Sequence, residues 1–140
     1  MSHKLFTWNH RVYFGDTDAA QVAYHAQYIR WFEAARIEFL EAIGCSYVEL
    51  QDQHIGFVPK KYDIDYRRPL KFGDYFKATI QVKLIKKSYI VLEQIIYKDD
   101  EICCYSTLQL VCMNEKTWSI RAIPDWISSK MAPYSPPKKS

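Results

Sequence analysis

The longest regular pattern of apolar positions in the chain lies between residues 24 and 43. Apolar residues recur there at steps of three and four, which is the spacing of one face of an α-helix. The stripe contains Tyr28, Trp31, Phe32, Ala35, Phe39 and Ile43. Gly44 follows directly, and glycine commonly ends a helix because it adopts a positive φ without strain. The pattern predicts one long amphipathic helix over Tyr24–Ile43.

The rest of the chain favours β-structure. In the clearest segment apolar and polar residues alternate, which places Phe76, Ala78, Ile80, Val82 and Leu84 on the inner face of a strand. Similar runs bounded by turn residues predict the other strands. The predicted strands are Leu5–Phe14, Phe57–Arg67, Tyr75–Lys87, Tyr89–Lys98, Ile102–Asn114 and Trp118–Ile123. A hairpin turn is predicted at Lys98–Glu101, and a short helix from Pro124 to Met131.

One long helix followed by a run of antiparallel strands predicts an α+β fold, with the helix packed on one face of a curled sheet. The length of 140 residues is that of a single domain. We assign residues 1–132 to this domain and residues 133–140 to a flexible C-terminal tail. Strands such as Tyr89–Lys98 carry apolar residues on both faces, so we expect part of the outer surface to meet another copy in a homo-oligomer.

Composition and charge exclude several classes of protein. Hydrophobic residues make up 49% of the chain and eleven residues are tyrosines, which argues against extended disorder. The formal net charge is only +3 and the basic residues are dispersed, so no nucleic acid is expected as a partner. The chain lacks an apolar run of the roughly 20 residues needed to cross a bilayer, so no membrane span is expected.

The cysteine pattern indicates reduced thiols rather than a metal site or a disulfide framework. Cys45, Cys103, Cys104 and Cys112 include no CxxC pair, and no His/Cys set has the spacing of zinc ligands. We therefore expect no metal and a cytoplasmic location. Residues 1–10 lack the apolar segment of a signal peptide, which agrees with that location.

Candidate chemistry lies between the first strand and the long helix. The strand is interrupted at Gly15, an acidic turn follows at residues 16–18, and the helix begins about seven residues after Asp18. This layout can place a carboxylate beside the positive end of a helix, whose free N–H groups hold negatively charged oxygen. A base close to an anion-stabilising site is what the hydrolysis of an acyl compound requires. Asp18 is the candidate carboxylate, although aspartate is also common as a turn residue or helix cap.

The motifs around this site extend the prediction. Tyr13–Asp18, Val22–His25 and Phe32–Arg36, followed in order by Asp65–Pro69 and Arg121–Pro124, resemble the 4-hydroxybenzoyl-CoA thioesterase-like branch of the hotdog-fold acyl-CoA thioesterases. The resemblance implies a hotdog fold, in which a curled antiparallel sheet wraps one long central helix. It also implies hydrolysis of acyl-CoA without a metal or prosthetic group. Members form homodimers with active sites at the subunit interface, and these often pair into homotetramers.

The resemblance assigns roles to individual residues. Asp18 is the catalytic carboxylate, acting as a base or as a nucleophile, and the backbone N–H at or near His25 polarises the thioester carbonyl. The His25 side chain is a further candidate for contact with the substrate or the leaving thiolate. Tyr24 and Tyr28 are candidates for lining a pocket for a small or medium acyl group, aromatic ones included, and also for the core face of the helix.

Basic residues supply candidates for binding the coenzyme A phosphates. Arginine is favoured because it contacts a phosphate through two N–H groups, whereas lysine offers one flexible charge. We select Arg67 and Arg68, and each of these residues is also an ordinary candidate for solvated surface charge. The remaining candidates are Lys60, Lys61, Lys71, Lys86 and Lys87.

Two other acidic residues are given structural roles. Asp16 is predicted to accept backbone N–H groups within the turn. Glu33 stands three residues before Arg36, where an ion pair along the helix is expected. Because some hotdog thioesterases place their catalytic carboxylate on the helix, Glu33 is also the alternative position for that group.

Two departures from the family pattern leave other functions open. Gln21 stands where the family usually has glycine, and Phe14 stands where some members have tyrosine. One alternative is therefore a non-catalytic acyl-CoA-binding module. The other is a hotdog hydratase or dehydratase, since those enzymes pair an aspartate with a histidine and Asp18 and His25 supply both types.

Overall fold

The computed structural model describes residues 3–136. Its helices are α1 (His25–Ala42), α2 (Tyr47–Asp52) and α3 (Asp125–Met131), and its strands are β1 (Phe6–Arg11), β2 (Ile55–Tyr66), β3 (Tyr75–Ile85), β4 (Tyr89–Lys98), β5 (Glu101–Asn114) and β6 (Ser119–Ile120). Single 3-10 turns lie at Phe14–Asp16 and Ala132–Tyr134. The predicted α+β class is confirmed, and the predicted long helix differs from α1 by one residue at each end.

The strands form one antiparallel six-stranded sheet with the order β1-β3-β4-β5-β2, and β6 pairs with the end of β5. Helix α1 packs on the inner face of this sheet. The ring of Phe39 lies 5.4 Å from that of Phe6, and the ring of Trp31 lies 4.6 Å from that of Phe76. Strand β2 lies at one edge of the sheet, and β5 is the strand it pairs with among the described residues.

The apolar stripe of α1 forms the centre of the core, as predicted. Tyr28, Trp31, Phe32, Ala35 and Phe39 are buried. Burial of such apolar area is the main favourable term in folding, at about 25 cal/mol per Å². Directly after the helix, Gly44 has a φ of +82°, which is the conformation expected of a glycine that ends a helix.

The predicted inward face of β3 is wrong at its last residue. The pairing of β3 with β4 shifts between Val82 and Leu84, so Lys83 is an extra residue in the strand. An extra residue reverses the alternation of side chains beyond it, and Leu84 is accordingly 38% exposed. Strand β6 is also shorter than the predicted Trp118–Ile123.

The helix α2 was not predicted, although the sequence carries a signal for it. The Ser46 side chain accepts a hydrogen bond from the Glu49 N–H at 3.1 Å. A serine followed three residues later by a glutamate is a helix-start pattern. The helix is only six residues long, which is too short for a clear apolar periodicity.

Packing continues beyond the predicted domain boundary at residue 132. The N–H of Lys4 donates to the carbonyl of Pro133 at 2.8 Å, and the Tyr134 ring lies 5.0 Å from that of Phe39. The packed chain therefore reaches Tyr134, and residues 137–140 of the predicted tail lie outside the described residues.

A buried glutamine fixes α1 to the sheet. Gln94 of β4 is fully buried, and its Nε2 donates to the carbonyl of Phe32 at 2.9 Å while its Oε1 accepts from Arg36 Nη1 at 3.0 Å. The predicted ion pair between Glu33 and Arg36 is wrong, since residues 3–136 contain no ion pair between them. Arg36 lies on the half-buried side of α1 and binds the sheet, whereas Glu33 is exposed.

All four cysteines are free, as predicted, and all four are buried. In the part of the chain that the structure describes, no helix is both long enough and apolar enough to span a membrane.

Candidate active site

Asp18 lies at the start of a tight hairpin that joins β1 to α1. The Asp18 N–H donates to the carbonyl of Val22 at 3.0 Å, and the Gln21 N–H donates to the carbonyl of Asp18 at 2.9 Å. The end of the hairpin is tied to the segment after β2, because the Ala23 N–H donates to the carbonyl of Leu70 at 2.8 Å. The loop that carries Asp18 is therefore held by backbone hydrogen bonds on both sides.

The two oxygens of the Asp18 carboxylate have different surroundings. Oδ1 accepts the Ala20 N–H at 2.9 Å and the Val22 N–H at 3.4 Å, which stabilises the turn. Oδ2 accepts no hydrogen bond from residues 3–136, and the side chain is exposed. One oxygen thus fixes the loop and leaves the other free for a ligand. Asp16 has the predicted structural role, since its Oδ2 accepts the Tyr13 N–H at 2.9 Å.

Gln21 adopts the left-handed backbone conformation that glycine adopts without strain. Its φ is 63°, at the point where the hairpin turns back toward the helix. This conformation costs a residue with a Cβ roughly 1 to 2 kcal/mol. Glutamine at position 21 therefore fits this hairpin with some backbone strain, and the hydrogen bonds of the hairpin still form.

We expect replacement of Gln21 with glycine to raise the free energy of unfolding by about 0.5 to 1 kcal/mol, because removing the Cβ relieves more strain than the added freedom of the unfolded chain costs. Urea denaturation measures this change. Ala20→Gly is the matched control, since Ala20 has no positive φ and glycine there should only destabilise. A loss of stability in Gln21→Gly would show that the loop is not strained at this position.

The N-terminus of α1 follows the hairpin without a capping side chain. Its N-cap residue Tyr24 is extended and makes no side-chain cap bond; its hydroxyl donates instead to the carbonyl of Gly15 at 3.0 Å. Within residues 3–136 the N–H groups of His25 and Ala26 have no acceptor. Such free N–H groups at the positive end of a helix are suited to a negatively charged oxygen.

Three aromatic rings surround the start of the helix. The Tyr66 ring lies 4.5 Å from the imidazole of His25 and 5.4 Å from the ring of Tyr28. The Tyr66 hydroxyl donates to the carbonyl of His25 at 3.0 Å, which joins the end of β2 to the first turn of α1. The Tyr28 hydroxyl accepts the Leu70 N–H at 3.1 Å. These contacts fix the helix end against the segment that follows β2.

The structure brings every predicted site residue to one pocket of about 320 Å³. Asp18, Tyr24, His25, Tyr28, Arg67 and Arg68 all line it. Tyr66 also lines the pocket and was missed. Tyr66 is the last residue of β2 that faces the helix. The sequence alone does not show that this end of the strand lies beside a histidine 41 residues earlier.

The two arginines at the pocket are engaged with exposed carboxylates. Arg67 Nε lies 2.7 Å from Asp65 Oδ2, and Arg68 Nε lies 2.9 Å from Glu101 Oε2. Exposed pairs of this kind contribute little, about 0 to 1 kcal/mol. A phosphate could therefore replace either carboxylate at small cost.

Comparisons with known proteins agree with this architecture. The family model described as the thioesterase-like superfamily matches residues 12–131. The acyl-CoA thioester hydrolase YbgC of Escherichia coli O6:H1 is 30% identical over 125 residues, which is 89% of this chain and 93% of the relative. The acyl-CoA thioesterase YbgC of Haemophilus influenzae is 33% identical over 110 residues, which is 78% of this chain and 81% of the relative.

Solved structures give the same result for the fold. A gentisyl-coenzyme A thioesterase superposes with a TM-score of 0.83 at 26% identity, over 90% of this chain and 99% of that one. This match confirms the predicted hotdog architecture. From the family match over residues 12–131 and from these relatives, the chain belongs to the thioesterase-like superfamily.

Proposed function

We propose that this chain hydrolyses an acyl-CoA thioester to a free acid and coenzyme A, in the pocket formed by Asp18 and the start of α1. One observation carries the assignment: a carboxylate with a free oxygen and an uncapped helix N-terminus line the same pocket. Relatives named as acyl-CoA thioester hydrolases support the reaction. The chain is an acyl-CoA thioester hydrolase.

In this mechanism the thioester carbonyl oxygen lies at the helix N-terminus. The free N–H groups of His25 and Ala26 donate to it as negative charge develops on the tetrahedral intermediate. Donors already oriented toward such an oxygen do not have to reorganise during the reaction, and one donor of this kind is typically worth about 10²- to 10³-fold in rate. Tyr66 holds this helix end in place through its bond to the His25 carbonyl.

Asp18 supplies the other half of the chemistry through its free Oδ2. A carboxylate can remove a proton from the attacking water, or attack the carbonyl carbon itself and form a mixed anhydride that water then hydrolyses. Both routes place a new C–O bond on the carbonyl carbon and release the sulfur. The Oδ1 bonds to the turn keep the carboxylate in position in either route.

The walls of the pocket define the substrate in general terms. Tyr24, His25, Tyr28 and Tyr66 give it an aromatic lining, which accepts a small or medium acyl group, aromatic or aliphatic. Arg67 and Arg68 lie at its rim and bind the coenzyme A phosphates, exchanging their exposed carboxylate partners for phosphate oxygens.

We propose further that two copies join through β2. This strand is twelve residues long and pairs on one side only among the described residues, and a long unpaired edge is a template for another strand. The sequence also suggested an interface at the outer face of β4. That interface is less well supported, because Ile95 on this face is only 8% exposed in the single chain and leaves little apolar surface for a partner to cover. Antiparallel pairing of β2 with its copy gives the homodimer that the family resemblance implies, and two such dimers give a homotetramer.

The same pairing places the active site at the interface. Tyr66 at one end of β2 lines the candidate pocket, whereas Phe57 near the other end lines a mostly apolar cavity of about 370 Å³ between the sheet, α1 and α2. Antiparallel strands bring opposite ends together. The pocket of one protomer therefore lies beside the apolar cavity of its partner, which enlarges the space for the acyl group.

The cytoplasm remains the predicted compartment. Four free, buried thiols are compatible with a reducing environment. Proteins of the secretory route, by contrast, commonly pair their cysteines.

The first experiment is free-thiol release by the wild-type protein from acetyl-, hexanoyl-, dodecanoyl- and benzoyl-CoA. We expect turnover with at least one of them, and the preferred acyl group defines the substrate class. Absence of thiol from all four would contradict the proposed function. Loss of enoyl-CoA absorbance without thiol release would then identify a hydratase, and tight binding without either signal would identify a binding module.

A further inference from the structure

Tyr28 occupies an unusual position in the pocket. It lies one turn into α1, on the same side as His25, and is only 3% exposed, yet it lines the candidate active site. Its hydroxyl oxygen accepts the Leu70 N–H at 3.1 Å. The backbone of the segment after β2 thus holds the phenol with one lone pair occupied.

The proton of this hydroxyl has no acceptor in residues 3–136. A phenol is both an acceptor and a donor, and the bond from Leu70 uses only the acceptor. Three tyrosines line the pocket, and the other two have used their protons: Tyr24 donates to the carbonyl of Gly15, and Tyr66 donates to the carbonyl of His25. Tyr28 is therefore the tyrosine of the pocket with a proton to give.

We propose that Tyr28 is a further catalytic residue, whose hydroxyl donates a hydrogen bond to the sulfur of coenzyme A as the carbon–sulfur bond breaks. This inference rests on the proposed function. During the reaction three groups need a partner: the attacking oxygen, the carbonyl oxygen and the leaving sulfur. Asp18 serves the first and the N–H groups of His25 and Ala26 serve the second, which leaves the sulfur for Tyr28.

The step balances without transfer of the tyrosine proton. A C–O bond forms at the carbonyl carbon, the C–S bond breaks, and the electron pair of that bond moves onto sulfur. Tyr28 donates its hydrogen bond to the thiolate but keeps its proton, and the departing thiolate is protonated by solvent. Burial raises the pKa of Tyr28 to about 12, so the hydroxyl stays protonated throughout the pH range in which the enzyme is assayed.

The test compares Tyr28→Phe with wild type on two thioesters of the same acyl group. One is the CoA thioester and the other is the thiophenyl ester, whose thiolate leaves readily without help. For the CoA thioester we expect kcat to fall about 10- to 100-fold with KM little changed, as for the loss of one hydrogen bond to a charged group. For the thiophenyl ester we expect a much smaller loss.

Controls separate this role from a structural one. Tyr28→Phe also removes the acceptor for the Leu70 N–H, but a disturbed fold would slow both substrates equally. Tyr134→Phe removes the hydroxyl of a ring that packs against Phe39, outside the pocket, and should leave both rates unchanged. His25→Ala tests the imidazole, which also lines the pocket.

The outcomes distinguish the hypotheses. Equal losses for the two substrates, or no loss at all, would overturn the role of Tyr28. If His25→Ala slows the CoA thioester more than the thiophenyl ester and Tyr28→Phe does not, the hydrogen bond to the sulfur comes from His25 instead. Failure of the wild-type protein to cleave either substrate would overturn the proposed function and this inference together.

Discussion

Replacing Asp18 with asparagine is expected to lower thioester turnover by about 100- to 10,000-fold, the usual contribution of a positioned acid–base group. Asparagine retains an oxygen that can accept the Ala20 and Val22 N–H groups in place of Oδ1, so the hairpin should keep its form. It loses the negative charge, and with it the ability to take a proton from water or to attack the carbonyl carbon. Thiol release from the preferred acyl-CoA measures the effect.

The matched control is Asp16→Asn in the same turn. Asp16 also accepts a backbone N–H, from Tyr13, and asparagine can replace it there. Because Asp16 does not line the pocket, we expect this variant to retain turnover close to that of wild type. Thermal unfolding should show both variants folded. Full activity in Asp18→Asn would reduce Asp18 to a turn residue and would point to Glu33 as the next carboxylate to test.

Reversing one charge on β2 is expected to weaken the proposed homodimer by roughly 10- to 100-fold in Kd. Lys61 and Asp63 are exposed on the outer face of the strand, on either side of Tyr62, and neither belongs to an ion pair among residues 3–136. In an antiparallel pair centred on Tyr62, Lys61 of one protomer lies opposite Asp63 of the partner subunit. Symmetry repeats this contact, so a single reversal produces two pairs of like charges.

The design of the experiment uses this symmetry. Lys61→Glu and Asp63→Lys should each shift the protein toward monomer in sedimentation velocity, and thiol release should fall with the dimer fraction. Mixing the two variants should restore dimer and activity, because each contact in the mixed dimer again joins opposite charges. Lys86→Glu, in the bend between β3 and β4, controls for net charge.

Two results would contradict this arrangement. Single variants that dimerise as tightly as wild type would place the interface elsewhere. Variants that dissociate but do not recover on mixing would retain β2 as the interface and reject the register centred on Tyr62.

Much of the fold could be predicted because its signals are local. The stripe on α1 and the alternation in β3 up to Val82 are each contained within one element, and the bounds of β4 are those predicted. The exposure of Leu84 could not be predicted, because the extra residue at Lys83 depends on the pairing with β4. The predicted ion pair of Arg36 with Glu33 was wrong for a similar reason. Helical spacing does not show that buried Gln94 lies opposite Arg36 on the sheet.

The candidate site shows the same contrast between features that are local in sequence and contacts between distant elements. Asp18 and the helix start are close in sequence, so their proximity was accessible, and the unusual Gln21 could be recognised as a departure. Tyr66 could not be placed, because its contact with His25 exists only once β2 lies beside α1. The strain at Gln21 was also hidden, since a sequence gives the residue but not its φ.

The position of Tyr66 at the end of β2 leads to an expectation about when activity first appears during synthesis. Among the described strands β2 pairs only with β5, so β2 gains its partner in the sheet only after residues 101–114 have been synthesised. Contacts between distant segments form late because chain entropy must be lost first. We expect ribosome-bound chains that end before β5 to contain α1 and Asp18 but to have no hydrolytic activity.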